Sequence, residues 1–249
     1  MSQAPERNFS ARVAYDGTDY AGFQVQPDVL TIQGKLESAL AKILGAEIRV
    51  HGASRTDAGV HAVGQVISFR AVTSLPAGEL ERAFNALLPG DIRVWMVMER
   101  EGGFHARFSA RSKRYTYRIY LSAHESPFLG RFALWRYGDY DESRMRDCAD
   151  LLVGEHDFRS FSPRLYEGEK PVKRVTGIEM NRYAELFEIS IEGSGFLYQM
   201  ARRISAVILE TGSGELDVAQ VKSWIGAPVT GECKYLLPPN GLFLMEVMY

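Results

Sequence analysis

The chain has little that would tie it to a membrane, a metal or an oxidising compartment. Its 249 residues include only two cysteines, Cys148 and Cys233. Two are too few for a disulfide framework, and these are not spaced as metal ligands. Cys148 falls in an apolar helical pattern and reads as a small core residue. His51, His61 and His105 make no recognised ligand spacing, so no metal is expected. No apolar run approaches the roughly 20 residues that cross a bilayer, and Met1 to Asn8 lack the apolar stretch of a signal peptide. A cytoplasmic protein without a membrane partner is expected. Charge of one sign is missing too: 29 Lys and Arg face 31 Asp and Glu, for a net charge of −2. That removes any global sign of nucleic-acid binding. Phosphate affinity depends on local patches, however, so the distribution decides.

What remains is an ordinary globular composition, 46% hydrophobic and 24% charged, long enough for one large domain or two small ones. Hydrophobic period gives the organisation. Phe9 to Tyr15 alternates like a strand. Ile32, Leu36, Ala39, Leu40 and Ile43 recur at helical spacing behind Thr31, a good N-cap. Glu47 to Val50 and Val63 to Phe69 read as strands. A helix carrying Leu80, Ala83, Phe84 and Leu87 stops at Pro89-Gly90, and a strand from Ile92 to Met98 follows. The order then repeats. Tyr115 to Leu121 is a strand, and Met145, Ala149 and Leu152 mark a helix capped by Asp141. Val172 to Met180 and Leu186 to Ile191 are paired strands. Phe196, Met200, Ile204 and Val207 mark a long helix, and Leu242 to Val247 is the last strand.

Each half therefore has the β-α-β-β-α-β order of a ferredoxin-like unit. The expected class is α+β. Two such halves would form one mainly antiparallel sheet, with helices on one face and a catalytic cleft on the other. The boundary falls at the short junction from Glu99 to Gly103, giving an N-terminal half of residues 1–103 and a C-terminal half of residues 104–249.

The inner strands of the first half are separated by Ala53 to Ala62, longer than a hairpin needs. Long connections of this kind often carry function. This one holds Arg55, Thr56, Asp57, Gly59 and His61. One reading is a turn with an exposed Arg–Asp pair, worth little in stability. The other is a carboxylate kept ionised in a cleft by its neighbouring guanidinium and able to act as a nucleophile. Basic residues cluster at Arg107, Arg111, Lys113, Arg114 and Arg118, interleaved with Phe108, Tyr115 and Tyr117. A second group is Arg164, Lys170, Lys173 and Arg174. Such runs are either solvated faces or, with aromatics between them, phosphate and base contacts.

The string Arg55-Thr56-Asp57-Ala58-Gly59-Val60-His61-Ala62 resembles the signature of the tRNA pseudouridine synthase A family. The resemblance extends through Tyr15-Asp16-Gly17-Thr18, Gly22-Phe23-Gln24, Gln33-Gly34 and Phe104 to Ala110. It continues at Tyr115-Thr116-Tyr117, Met200-Ala201-Arg202 and Gly241-Leu242. Ser54 stands where the family usually has Gly, Phe23 where it usually has Trp, and Leu237 where it often has Ala.

The resemblance implies a cofactor-free isomerase. Asp57 would be the nucleophile, and Arg55 would help the target base leave its stack. Tyr115 would stack on uracil and handle the C5 proton, Arg202 would pair with the catalytic carboxylate, and Leu242 would wall the base. Taken by helical phase alone, Arg202 points away from the apolar stripe and Arg203 lies near its edge. Arg107, Arg111, Lys113 and Arg114 would contact RNA. The implied substrate is tRNA, modified on the 3′ side of the anticodon arm by a homodimer, with the site between the halves. The competing readings are a non-catalytic RNA-binding protein on the same fold and a nucleoside hydrolase acting through Asp57.

Overall fold

The computed structural model describes residues 5–249, so the expectation for Met1 to Asn8 falls partly outside the described residues. The first strands and helices are β1 (Glu6–Tyr15), α1 (Ile32–Leu44), β2 (His51–Gly52), β3 (His61–Val72), α2 (Ala77–Leu87) and β4 (Ile92–Arg100). There follow β5 (Ser112–Leu121), β6 (Leu134–Arg136), α3 (Glu142–Leu152), β7 (Gly154–Asp157), β8 (Val172–Tyr183) and β9 (Leu186–Gly193). The last are α4 (Met200–Ser213), α5 (Val218–Gly226) and β10 (Leu242–Met248). The class is α+β with mainly antiparallel pairing, as the element order implied. Two compact units result: one runs to Arg111 and includes Phe243–Tyr249, the other is Ser112–Leu242. No helix among the described residues is long and apolar enough to cross a membrane.

In the first unit the strand order is β4-β1-β3, all antiparallel. Both β2 (antiparallel) and the start of β10 (parallel) pair with β3. This is the ferredoxin-like order for β1 to β4. Alternation along β1 sets its two faces. Phe9, Ala11 and Val13 are buried, and Phe9 stacks on Phe69 of β3, which meets Phe84 of α2 edge-on at 6.0 Å. Each such phenyl contributes roughly 1.5–3 kcal/mol by leaving water. The opposite face is polar: Ser10 and Arg12 of β1 lie across from Ser68 and Val66 of β3. Thr31 caps α1 by accepting from the Gly34 amide, and Gly45 ends the helix in the left-handed conformation.

In the second unit the order is β5-β9-β8-β7, antiparallel throughout, with β6 parallel to β5. Tyr117 and Ile119 of β5 are buried together with Phe187 and Ile189 of β9. Asp141 caps α3, accepting from the Ser143 and Arg144 amides. A Cβ added at Gly212 of α4 would lie 2.5 Å from Met145 Cγ of α3, so these helices touch at a glycine.

Three local expectations change. The strand expected at Glu47 to Val50 is displaced to the two residues of β2, where His51 and Gly52 pair with Ser68 and Ile67 of β3 and the Ala53 amide continues to the Val66 carbonyl. Phe196 precedes α4, whose first turn begins after Gln199 in the left-handed region. Nearly all of α4 is buried, so its apolar stripe has no solvent side. The short elements β6, β7 and α5 carry too little periodicity to be read from sequence.

Candidate active site

The Asp57 loop is held by backbone contacts that leave no space for side chains. A Cβ on Gly17 would overlap the Val60 carbonyl oxygen. Gly22, at φ +97°, brings its α-carbon against the loop, where a Cβ would lie 2.8 Å from the Thr56 oxygen. The Phe23 amide donates to the Thr56 carbonyl at 3.0 Å, and the Gly59 amide donates to the Tyr20 carbonyl at 3.3 Å. Gly59 itself turns the loop at φ +77°. The motifs Tyr15 to Thr18 and Gly22 to Gln24 thus act together, because their segment is the seat of the loop.

Side chains fix the other flank. Gln65 of β3 closes a two-point contact with the Ser54 backbone, accepting from its amide at 3.1 Å and donating to its carbonyl at 2.7 Å. Ser54 does not adopt a positive φ, so its replacement of the usual Gly brings no backbone strain. The hydroxyls of Tyr15 and Thr56 are hydrogen bonded at 2.8 Å, both residues buried. Burial pushes the Tyr15 phenol up to about 12, against smaller lowering effects from Thr56 and Gln65. The Gly17 amide donates to His61 Nδ1 at 3.0 Å, and the buried His61 ring stacks on Phe243 of β10 at 4.7 Å. His61 therefore clamps the loop exit.

Within this seat Thr56 is buried, Asp57 is half-buried and Arg55 is exposed. Arg55 forms no ion pair with Asp57 or any other described residue. The surface Arg–Asp pair that spacing allowed is not made.

Tyr115, Arg202 and Leu242 belong to the second unit. Tyr115 lies on β5, buried, with Phe196 edge-on at 5.0 Å. Arg202 and Arg203 are both buried, against the outward direction that helical phase gave Arg202. Arg202 Nε donates to the Leu237 carbonyl at 2.8 Å, and Arg203 donates to the Cys233 carbonyl and to Gln199. The Tyr117 hydroxyl donates to the next carbonyl, Pro238, at 2.7 Å, while burial raises its phenol well above the ordinary value. Two neighbouring carbonyls are thus tied to α4 and β5. They lead to Gly241, where a Cβ would lie 2.6 Å from the Tyr117 ring, and to buried Leu242. Sequence reading missed this clasp because Leu237 and Pro238 contribute only main-chain oxygens.

The basic run splits into two kinds of residue. Arg107 and Arg111 are exposed. Arg114 and Arg118 sit on β5 opposite Glu192 and Glu188 of β9 and pair with them at 3.6 and 2.9 Å. Between them Thr116 and Ser190 share a hydrogen bond at 2.8 Å. Cross-strand register, invisible in sequence, offsets much of the charge of Arg118 and less of that of Arg114, whose pair is longer and more exposed. In the second basic group the Arg164 guanidinium lies 5.0 Å from the Tyr166 ring and 4.9 Å from the Tyr198 ring.

Comparison with known proteins bears directly on this geometry. The family profile described as tRNA pseudouridine synthase matches residues 11–109 and 148–249. A tRNA pseudouridine synthase A of Bacillus pumilus is 38% identical over 239 residues, 95% of this chain and 97% of its own. The tRNA pseudouridine synthase A of Citrifermentans bemidjiense is 39% identical over 245 residues, 98% of both chains. That of Caldicellulosiruptor bescii is 36% identical over 243 residues, 98% of this chain and all of its own.

Proposed function

This chain belongs to the tRNA pseudouridine synthase family, and from that premise we propose that Asp57 is the nucleophile with which it isomerises uridine in tRNA. The reaction is an isomerisation of tRNA uridine to pseudouridine. It breaks the N1–C1′ glycosidic bond, turns the uracil and joins C5 to C1′; the C5 proton is released and N1 gains one, so atoms balance. An ionised carboxylate serves attack at the ribose carbon or at the ring, and either route runs without a metal or organic cofactor. The observation that carries the assignment is the seat of the loop. A half-buried Asp57 follows a buried, hydrogen-bonded Thr56 and is braced by Gly17, Gly22 and Gln65. A non-catalytic binder has no need to hold one carboxylate so firmly.

The other roles follow from what each side chain can do. Tyr115 offers a ring for uracil and a hydroxyl for the C5 proton. Arg202, whose Nε donates to the Leu237 carbonyl, brings a guanidinium of the shape that pairs with a carboxylate. Leu242 supplies an apolar wall. Arg55, without a partner among the described residues, is available to take the place of the base leaving the stack. Arg107, Arg111, Lys113 and Arg114 contact tRNA phosphates. The target lies on the 3′ side of the anticodon arm, and the working form is a cytoplasmic homodimer.

The test is an unmodified tRNA transcript incubated with protein, assayed for pseudouridine and for free uracil. Pseudouridine that disappears in Asp57→Ala, with tRNA binding retained, is the expected outcome. Activity surviving in that variant would overturn the assignment, and released uracil would favour hydrolysis.

A further inference from the structure

On the polar face of the first unit, away from the Asp57 loop, lies a surface cleft of about 510 Å³, lined among others by Asn8, Arg49, His51, Arg70, Phe104 and His105. His51 pairs with Ser68, seven residues along β3 from His61. At about 3.3 Å per strand residue the cleft is therefore roughly 20 Å from the start of that strand.

Three rings run in sequence from its wall, His51 and His105 lining the cleft and Phe108 standing beside His105. The His51 and His105 rings lie 4.9 Å apart at 38°, and His105 lies 4.5 Å from Phe108 at 34°. The run ends on Phe108, whose surface is 78% exposed. An apolar ring left in water beside the tilted His105 ring, with the Arg107 guanidinium 5.9 Å from its centroid, is a platform that a base can stack on next to a cation.

The platform is rigid. The Ala106 amide donates to Ser68 Oγ at 3.0 Å, the Tyr249 hydroxyl to the Ala106 carbonyl at 2.7 Å, and the Ser109 amide to the His105 carbonyl at 2.9 Å. The Arg107 amide donates to His105 Nδ1 at 3.1 Å, which leaves Nε2 as the donor nitrogen of the neutral ring.

Charge and shape point the same way. Arg49 and Arg70 flank the cleft with side chains 61% exposed, and their nearest carboxylates, Glu37 and Glu6, are 3.7 Å away. Exposed pairs of that length offset little. Arg70 also donates to the Gly102 carbonyl at 2.9 Å. Gly102 and Gly103, on the cleft wall, have no positive φ, and a Cβ at either would meet nothing within 4 Å. The wall is therefore bare main chain with open space beside it, which lets a ligand come close to it.

We propose that this cleft is a second tRNA subsite, which takes one unpaired nucleotide with its base on Phe108 and His105 and its phosphate between Arg49 and Arg70. It rests on the reading of the protein as a tRNA enzyme and adds a contact remote from the reacting uridine. An unpaired nucleotide fits because only an unstacked base exposes a face to a protein ring.

Equilibrium binding of a labelled, unmodified tRNA transcript at several salt concentrations tests the subsite. Phe108→Ala should weaken binding about fivefold or more. Arg49→Gln with Arg70→Gln should flatten the salt dependence by about one to two ions. Gly103→Val, into open space, should raise Kd without lowering the melting temperature. A Kd for Phe108→Ala within about twofold of the parent overturns the proposal, whatever the arginine pair does. So does a change in oligomeric mass in its place, which would assign Phe108 to contact with a second copy. Pseudouridine formation by the unaltered protein is scored separately. Its failure counts against the enzyme reading, while activity with unchanged binding in Phe108→Ala counts against the subsite alone.

Discussion

The hydroxyls of Tyr15 and Thr56 lie 2.8 Å apart inside the protein, one residue before Asp57. Tyr15 is the last residue of β1, so this bond ties the loop to the central strand of the first unit. Replacing Tyr15 by Phe leaves the Thr56 hydroxyl buried with a partner removed, at a cost of about 1–3 kcal/mol. Urea unfolding should report that loss. Turnover should fall in kcat more than in KM, because Asp57 loses its brace while the tRNA contacts stay. An unchanged kcat would show that Thr56 is held by the backbone alone.

The same phenol gives a pH signature. Its folded value is pushed up to about 12 from an ordinary 10. Between these values the unfolded chain has released the proton and the folded protein has kept it. Stability supplied by this group is therefore complete below pH 10 and lost as the pH rises toward 12. Unfolding free energies measured from pH 9 to 12 should fall less steeply in Tyr15→Phe than in the parent. Parallel slopes would refute the link.

Gly17 should be among the least replaceable residues of the chain. A methyl group there would overlap the Val60 carbonyl oxygen, whereas one at Gly90 meets nothing within 4 Å. Gly17→Ala should lose at least about tenfold in pseudouridine formation by displacing the catalytic loop. Gly90→Ala should match the parent in both activity and melting temperature.

Basic residues should separate by their partners. Arg107→Gln with Arg111→Gln removes two exposed charges and should reduce the salt dependence of tRNA binding by about two ions. Arg118→Gln removes a charge already held by Glu188 at 2.9 Å and should change that slope far less. Equal effects would place Arg118 in the RNA contact as well.

The sequence by itself determined the order of the longer strands and helices, the caps at Thr31 and Asp141, and the one loop worth suspecting. Hydrophobic period and capping chemistry act within a few residues, so a single chain displays them. The loop signature was legible as a family string, yet its reason was not. That Gly17 and Gly22 exist to let Asp57's loop close is a matter of atoms more than 30 residues apart in the chain. Arg55 and Asp57 looked like a pair because spacing cannot say which way a loop residue faces. Arg202 looked solvated because helical phase assumes that a helix has a wet side, and α4 has none. Arg118 looked like one more free cation of the basic run until register placed Glu188 across from it. In each case the deciding contact is nonlocal, and nonlocal contacts are set by how strands align and helices bury, which only the tertiary structure decides.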